Sequence, residues 1–291
     1  MEPIKQIIQD LKREQPKMRE NDSSKEQKKL PGDIWKILNA TSDCPYHMCD
    51  GSGIIFMQNR ETLETKAKYC KCKEQLIYSQ RLQFANIPSE FSSLTVNSFD
   101  TQIYKTQADR ETAKTAKIMT ANYIKSFEKF REKAKGLYYY SSTRGSGKTR
   151  LAVSLGNALL KVRHMQVKFI TTLDLLKEIR NTYNKNTQYT ESQLIESINS
   201  VQVLIVDDIG VEQPTNWVNE MLFSIFDTRM KYNKITIFTS NCSIENLQHD
   251  ERLKSRIFKM AIPVKMPEED VRKGQSKRDN EELQNILLRG E

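Results

Sequence analysis

The segment STRGSGKT, residues 142–149, has the residue types of a loop that binds the phosphates of a nucleotide. Such loops follow the pattern G-x-x-x-x-G-K-[ST], and here Ser142 stands at the position of the first glycine. Gly145 and Gly147, which flank Ser146, allow the backbone to turn around phosphate groups without a Cβ atom in the way. We therefore predict a phosphate loop in which Ser142 mainly shapes the first turn.

Lys148 and Thr149 supply the charged and hydroxyl groups that nucleotide binding requires. The ammonium group of Lys148 would reach the β- and γ-phosphates, and the hydroxyl of Thr149 would bind Mg²⁺. A strand pattern (GLYYYS, 136–141) precedes the loop and a helix pattern (RLAVSLGNALLKV, 150–162) follows it. This context places backbone N–H groups at a helix N-terminus, where they bind phosphates.

An acidic pair, Asp207 and Asp208, ends the apolar segment VQVLIVDD (201–208). In a nucleotide-binding sheet, Asp207 would hold Mg²⁺ through water and Asp208 would polarise the attacking water. A buried strand that ends in an acidic turn has the same pattern without any metal. Together with the phosphate loop, the pair favours a site for ATP or ADP with Mg²⁺.

Two further segments carry polar groups that could act on the same nucleotide. The strand pattern KITIFTSN (234–241) ends in Asn241, whose side chain would face a γ-phosphate or, alternatively, cap the strand. The helix pattern ERLKSRIF (251–258) carries Arg256. It is either an exposed basic helix or a helix that presents an arginine to the nucleotide of a neighbouring subunit.

Four of the five cysteines are close together in the N-terminal part of the chain: Cys44, Cys49, Cys70 and Cys72. Four thiolates can bind Zn²⁺ tetrahedrally, two from each of two turns. The spacings C-x₄-C and C-x-C lie at the edges of the usual range, and His47 has the commoner spacing from Cys44. The residues alone leave His47 open as a replacement for one cysteine, and four free buried cysteines are the alternative to a metal site.

The composition indicates a basic protein, with a formal net charge of +9 and 29% charged residues. Such an excess favours nucleic acid or another polyanion as partner, although lysine and arginine are spread widely, as in any lysine-rich chain. No run of about 18 apolar residues occurs, and the N-terminus lacks the apolar core of a signal peptide. We expect a cytoplasmic protein without a membrane segment, with Cys242 as a reduced core thiol.

The remaining patterns predict an α/β fold behind a small N-terminal module. A short helix at 3–12 and a solvated linker at 13–33 precede the cysteines, and a long helical stretch follows at 106–135. Strand patterns lie at 136–141, 166–170, 201–208 and 234–241, and helix patterns between them lie at 150–162, 174–183, 191–198 and 217–232. This alternation indicates a parallel sheet, with Tyr138–Tyr140 in its core rather than on a base-stacking surface.

These segments together resemble a known family. STRGSGKTRLAVSLGNALL, VLIVDDIGVE, ITIFTSN, RLKSRI and EEDVR, in this order and spacing, are similar to the AAA+ ATPase domain of bacterial and phage helicase loaders of the DnaC/DnaI type, relatives of the IstB transposition ATPases. The resemblance covers about residues 85–275, and DDIGVE followed by TSN is far more specific than the loop motif. It implies a central parallel sheet with flanking helices, preceded by a small zinc-binding domain.

The resemblance also implies roles for individual residues. Lys148 and Thr149 match the loop lysine and its Mg²⁺-binding neighbour, and Asp207 and Asp208 match the acidic pair. Asn241 matches the first sensor, which monitors the γ-phosphate.

Two arginines complete the implied site. Arg256 matches the arginine finger that acts across a subunit interface, and Arg272 in EEDVR matches the second sensor. The short tail after Arg272 leaves little room for the helical lid of most AAA+ proteins. Ser142 departs from the family pattern, which changes the expected geometry of the loop but not the presence of the site.

For the cysteines, related loaders show C-x₂-C followed by C-x-C. The glycines directly after Cys49 fit the knuckle of those loaders, so the resemblance favours the four cysteines over His47 as zinc ligands.

The implied function is an ATP-dependent loader that binds the replicative hexameric DnaB-type helicase and delivers it onto single-stranded DNA, with slow, partner-stimulated hydrolysis. Residues 1–85, with a zinc module at about 44–72, would bind the helicase. Residues 86–291 would form the ATPase domain with a short C-terminal lid or tail, and these domains would self-associate. The alternatives are an IstB-type transposition helper, which acts on duplex DNA with a transposase, and an adaptor that binds nucleotide without hydrolysing it.

Overall fold

The computed structural model describes residues 34–73, 76, 85–183 and 190–289. These residues fall into two compact units, one up to Leu76 and one from Ala85 onward. The helix predicted at 3–12 and the linker predicted at 13–33 lie outside the described residues. Within the described ranges, no helix combines the length and the apolar character needed to cross a membrane.

The first unit contains a three-stranded antiparallel sheet, in the order β1 (Trp35–Ile37), β2 (Ile54–Asn59) and β3 (Thr65–Tyr69). Its core consists of the four cysteines and Ile55. The sequence patterns did not predict this sheet, because β3 is exposed along its whole length and shows no apolar alternation. A unit with so small an apolar core needs a further source of stability, such as a bound metal.

The second unit is built on a five-stranded parallel sheet, which confirms the predicted α/β class. Its strands are β4 (Gly136–Tyr140), β5 (Val167–Thr171), β6 (Val203–Ile209), β7 (Ile235–Ser240) and β8 (Ala261–Lys265), in the spatial order β5-β6-β7-β4-β8. The sequence patterns missed β8, which contains Pro263. Proline lacks an N–H donor, and β8 accommodates it as an edge strand.

Eight α-helices are described in this unit: α1 (Gln107–Lys125), α2 (Phe127–Glu132), α3 (Lys148–Val162), α4 (Thr172–Asn181), α5 (Glu191–Ser200), α6 (Asn216–Lys231), α7 (Glu251–Met260) and α8 (Val271–Arg289). The single stretch predicted at 106–135 is divided at Ser126 into α1 and α2. Residues 271–289 form one helix of 19 residues, α8, which contains Arg272 and most of the short tail that follows it.

The sheet core positions the phosphate loop. Of the three tyrosines predicted in the core, Tyr138 and Tyr139 are fully buried, and Tyr140 is half-buried and packs against the core. Helix α3 packs closely against β6, because a Cβ atom on Gly156 would lie 2.6 Å from the Cδ1 atom of Ile205. Because β4, β7 and β6 are neighbouring parallel strands, their carboxyl ends lie side by side at one end of the sheet, next to the N-terminus of α3.

Candidate nucleotide site and cysteine cluster

The loop between β4 and α3 has the tight backbone that the sequence predicted. Gly145 and Gly147 adopt φ angles of 74° and 91°, a left-handed region that side chains disfavour. A Cβ atom on Gly147 would lie 2.9 Å from the Phe99 ring and 3.1 Å from the Tyr104 hydroxyl. Tyr104 also donates a hydrogen bond to the Ser146 carbonyl at 2.9 Å. Two aromatic residues that the sequence analysis did not single out therefore pack against the loop.

Lys148 lies inside this loop, with a residue exposure of 5%. Its Nζ atom donates to the carbonyl oxygen of Thr143 at 2.8 Å and lies 3.4 Å from that of Ser141. Burial lowers the pKa of Lys148, and the nearby carboxylates of Asp208 and Glu268 oppose that shift. The ammonium group is thus held by uncharged acceptors, next to carboxylates of the same site.

Asp207 connects the loop to the centre of the sheet. Its Oδ1 atom accepts hydrogen bonds from the hydroxyl of Thr149 at 2.9 Å and from that of Thr239 at 2.6 Å. Burial raises the pKa of Asp207, and the hydrogen bond from Thr239 counteracts this shift. The structure therefore brings together the two residues expected to bind Mg²⁺ and adds Thr239, which the sequence analysis missed.

Asp208 has an unusual backbone, with φ at 55°. Aspartate tolerates the left-handed region better than most residues, and such outliers concentrate at functional sites. The backbone N–H of Asp208 donates to the Thr239 hydroxyl at 2.8 Å, so the same hydroxyl holds both members of the acidic pair.

Asn241 and Arg256 have different environments. Asn241 directly follows β7 and is half-buried at the same edge of the sheet as the acidic pair. Arg256 on α7 forms an ion pair with Asp227 on α6, with a distance of 2.8 Å between Nη2 and Oδ1. Its guanidinium group also lies 5.4 Å from the centre of the Phe223 ring. Among the described residues, the contacts of Arg256 are on α6 and not on the loop.

Arg272, the second residue of α8, lies beside the loop. The preceding residue, Val271, donates its N–H to the carbonyl of Gly145 at 3.2 Å. A Cβ atom on Gly145 would lie 3.2 Å from the Cβ atom of Arg272. Ser142 contacts the segment before α8, because its hydroxyl donates to Glu268. Glu268 is a further residue that sequence analysis missed.

The four cysteines of the first unit form one buried cluster. Their Sγ atoms all lie within 4.8 Å of one another, with 3.6 Å between Cys44 and Cys70 and 3.4 Å between Cys49 and Cys72. Sulfur atoms at the usual Zn–S distance of about 2.3 Å in a tetrahedron would be about 3.8 Å apart. The donor set and spacing therefore fit Zn²⁺. His47 is exposed and lies outside this cluster.

The charge of the cluster also fits a bound cation. Burial opposes ionisation of Cys44, but backbone N–H groups of Met48 and Tyr46 lower its pKa to about 6. Burial and the neighbouring thiols raise the pKa of Cys72. Ionisation of all four thiols at this distance would therefore require a cation to neutralise them. Cys242 belongs to the second unit, where it is half-buried, with its Sγ atom 3.6 Å from the Ser240 hydroxyl oxygen.

Comparisons with known proteins identify a family and several relatives of this chain. The family model of the bacterial DnaA ATPase domain matches residues 95–265, more than half of the chain. The replicative helicase loader DnaI of Bacillus subtilis (strain 168) is 27% identical over 166 residues, 52% of this chain and 51% of the relative. The replicative helicase loader DnaC of Buchnera aphidicola subsp. Baizongia pistaciae is 29% identical over 111 residues, 38% of this chain and 45% of the relative. The chain thus spans about half the length of these two curated relatives.

A solved structure supports the same fold. The crystal structure of DnaI has a TM-score of 0.52 and 25% sequence identity, covering 62% of this chain and 95% of that chain. The central five-stranded parallel sheet with flanking helices is therefore an AAA+ fold, as the resemblance implied.

Proposed function

Since the chain belongs to the family of the bacterial DnaA ATPase domain, we propose that it is a Mg²⁺-dependent ATPase that loads a replicative hexameric helicase onto single-stranded DNA. The observation that carries the ATPase part is the link between the loop and the acidic pair. Thr149 and Thr239 both donate to Asp207, next to the buried ammonium group of Lys148. This combination of lysine, hydroxyl and carboxylate is the one that binds a nucleoside triphosphate with Mg²⁺.

In the proposed reaction, Lys148 exchanges its carbonyl acceptors for phosphate oxygens. Mg²⁺ would neutralise charge that develops on the phosphates, held by Thr149 and, through water, by Asp207. Asp208 orients and polarises the attacking water. Asn241 would contact the γ-phosphate from the end of β7 and so sense whether it is present.

The two arginines act from different chains in this proposal. Arg272 lies beside the loop of its own chain and would contact the γ-phosphate there. Arg256 forms an ion pair with Asp227 of its own chain. In the proposed assembly, its guanidinium group would contact the nucleotide of a neighbouring copy. The ATPase unit would therefore self-associate, and hydrolysis would be slow until that assembly or the helicase stimulates it.

The loading function is proposed from the two relatives described above, both of which are named replicative helicase loaders. We assign helicase binding to residues 1–85, with Zn²⁺ held by the cysteine cluster, and ATP hydrolysis to residues 86–291. The net charge of +9 favours contact with the phosphates of single-stranded DNA, and such binding weakens steeply with salt.

A binding experiment tests the proposal. The full chain is mixed with the replicative helicase hexamer of its own organism and run on analytical gel filtration, with ATP and with ADP, and ATP hydrolysis is measured on the same samples. The variant Lys148→Ala is compared with Lys161→Ala, which removes an exposed lysine from the last turn of α3.

We expect the wild type and Lys161→Ala to form the complex and hydrolyse ATP, and Lys148→Ala to lose hydrolysis. No complex in either nucleotide would overturn the loader proposal. Binding to duplex DNA and a transposase instead would support the IstB-type alternative. A complex without hydrolysis by the wild type would support the adaptor.

A further inference from the structure

Ser142, which replaces the first glycine of the loop pattern, is tied to the segment between β8 and α8. We propose that Ser142 and Glu268 are positioning residues that together hold Arg272 against the loop, so that the chain distinguishes ATP from ADP. This inference rests on the proposed nucleotide site. It assigns a role to the serine that the loop pattern alone does not explain.

The contact between the two residues is short and has several hydrogen bonds. The hydroxyl of Ser142 donates to the Oε2 atom of Glu268 at 2.6 Å, and its backbone N–H donates to Oε1 at 3.3 Å. The backbone N–H of Thr143 donates to Oε2 at 3.2 Å, and the Ser141 hydroxyl lies 3.0 Å from the same oxygen. The carboxylate of Glu268 therefore forms hydrogen bonds with the first residues of the loop, Ser142 and Thr143.

The charge state of Glu268 supports this arrangement. Its burial favours the neutral acid, but the hydrogen bonds from the loop outweigh that effect and lower its pKa. Glu268 is thus a carboxylate at neutral pH, and a hydrogen bond from a hydroxyl to a carboxylate is stronger than one between neutral groups. Glycine at position 142 would keep the backbone donor but would lose the shortest of these contacts.

The segment that carries Glu268 is fixed at other points as well. The backbone N–H of Glu268 donates to Asp109 at 2.8 Å, and the carboxylate of Glu269 accepts from the backbone N–H of Lys105 at 2.7 Å. The carbonyl of Pro267 accepts from the Ser141 hydroxyl at 2.7 Å. Residues 266–270 therefore connect β4, the N-terminus of α1 and the loop.

Arg272 follows this segment directly. Asp270 accepts a hydrogen bond from the backbone N–H of Arg272 at 3.0 Å, and Val271 donates to Gly145. Gly145 is required for this approach, because a Cβ atom there would lie 2.1 Å from the Asp270 carboxylate. Glu268 is four residues from Arg272, and the other contacts keep this segment in place, so a loosened contact at Ser142 would shift the start of α8 relative to the loop without releasing it.

The consequence concerns the γ-phosphate. Arg272, held beside the loop, would contact the phosphate that ATP has and ADP lacks. Lys148 and the loop N–H groups serve both nucleotides. Loss of the hydroxyl at Ser142 should therefore weaken ATP binding and leave ADP binding nearly unchanged.

The test measures equilibrium binding of ATP and ADP, in the presence of Mg²⁺, to the full chain and to Ser142→Ala. We expect the ATP affinity of the variant to fall about fivefold, the size of one weakened charge-assisted hydrogen bond, and its ADP affinity to stay within about twofold of the wild type. Ser142→Thr retains the hydroxyl and should bind ATP as the wild type does. Ser197→Ala is the matched control, because its hydroxyl bonds within α5 to Leu194.

Two further variants establish that the effect acts through the arginine. Arg272→Ala should show the same selective loss of ATP affinity, and the double variant Ser142→Ala/Arg272→Ala should lose no more than Arg272→Ala alone. Equal losses of ATP and ADP affinity in Ser142→Ala, or additive losses in the double variant, would overturn the inference. Thermal unfolding of each variant without nucleotide identifies a folding defect, which would lower both affinities. The nucleotide-binding measurement needs no helicase. If the variants behave as expected but the chain binds no helicase, only the loading function is refuted. If the wild type binds neither ATP nor ADP, both the proposed ATPase function and the role of Ser142 are refuted.

Discussion

The Nε2 atom of His249 lies 2.7 Å from the Oε1 atom of Glu212, and the two side chains are 1% and 2% exposed. The Nδ1 atom of His249 lies 2.8 Å from the side-chain oxygen of Asn219 on α6. The other carboxylate oxygen of Glu212 accepts from the backbone N–H of Gly210 at 3.0 Å. His249 precedes Asp250, which caps α7. This buried network therefore ties the residues after the acidic pair to the helix that carries Arg256.

Replacement of His249 by alanine should strongly destabilise the second unit. The change leaves the Oε1 atom of Glu212 and the side-chain oxygen of Asn219 buried without their hydrogen-bond partner, and each unsatisfied buried polar group costs about 1–3 kcal/mol. Urea unfolding measures the effect, with Gln248→Ala, an exposed neighbour, as the control. A loss of less than about 1 kcal/mol would mean that water replaces the histidine as partner of Glu212.

Local patterns were sufficient for much of the fold. Four strands of the parallel sheet were predicted because each is a buried apolar run next to polar turns. The run of β8 is short and interrupted by Pro263, so it has no such signal. The helical stretch predicted at 106–135 is confirmed apart from a break at Ser126, which was not predicted because a break between two helices depends on how each packs and not on its periodicity.

The candidate site was predictable where its residues lie in short recognisable segments, including the single residues Asn241 and Arg272. Lys148 and Thr149 belong to one loop, and Asp207 and Asp208 end one strand. Residues that complete the site come from distant segments: Tyr104, Thr239 and Glu268. Glu268 is 126 positions from Ser142, and no spacing rule relates such residues before the chain folds.

Thr239 should matter more for hydrolysis than for ATP binding. Its hydroxyl is bonded to the carboxylate of Asp207 and to the backbone N–H of Asp208, so Thr239→Val would leave both residues less well oriented. We expect the rate of hydrolysis to fall about tenfold or more, with a smaller change in ATP affinity. Steady-state kinetics separates kcat from KM, and Thr239→Ser should restore the rate.

A suitable control for this variant is Thr115→Val, on the exposed side of α1. An unchanged kcat in Thr239→Val would show that the acidic pair is oriented without this hydroxyl.

The cysteine cluster should bind one zinc ion per chain. Cys49→Ser removes one ligand and should lower the zinc content of the purified protein, whereas Cys242→Ser removes a cysteine outside the cluster and should not. Metal analysis by mass spectrometry checks both. Loss of the metal should also expose the first unit to proteolysis, because its core consists mainly of the ligands.

A variant of His47 tests whether the histidine, and not a fourth cysteine, is a zinc ligand. The variant His47→Ala should retain zinc, since the imidazole lies outside the set of sulfur atoms. If His47→Ala lost zinc and Cys49→Ser retained it, the histidine would be the fourth ligand.

Arg256 should act on the nucleotide of a neighbouring copy and not on its own. Arg256→Ala should lower ATP hydrolysis of the assembled protein by at least about tenfold, because an arginine that neutralises transition-state charge contributes strongly to the rate. Its ATP affinity should change little, since the contacts of Arg256 within its own chain are with α6.

Mixing two variants shows whether Arg256 acts on the nucleotide of a neighbouring copy or only within its own chain. Arg256→Ala keeps an intact loop and Lys148→Ala keeps an intact arginine, so mixed assemblies contain interfaces in which both are present. Partial recovery of hydrolysis on mixing these two inactive proteins is the expected result. Arg252→Ala, which removes the neighbouring exposed arginine of α7, should remain active alone. If hydrolysis stays at the level of the separate variants, Arg256 has a structural role through its ion pair with Asp227. This ion pair lies within one chain, so the Lys148→Ala chain cannot restore it in the Arg256→Ala chain.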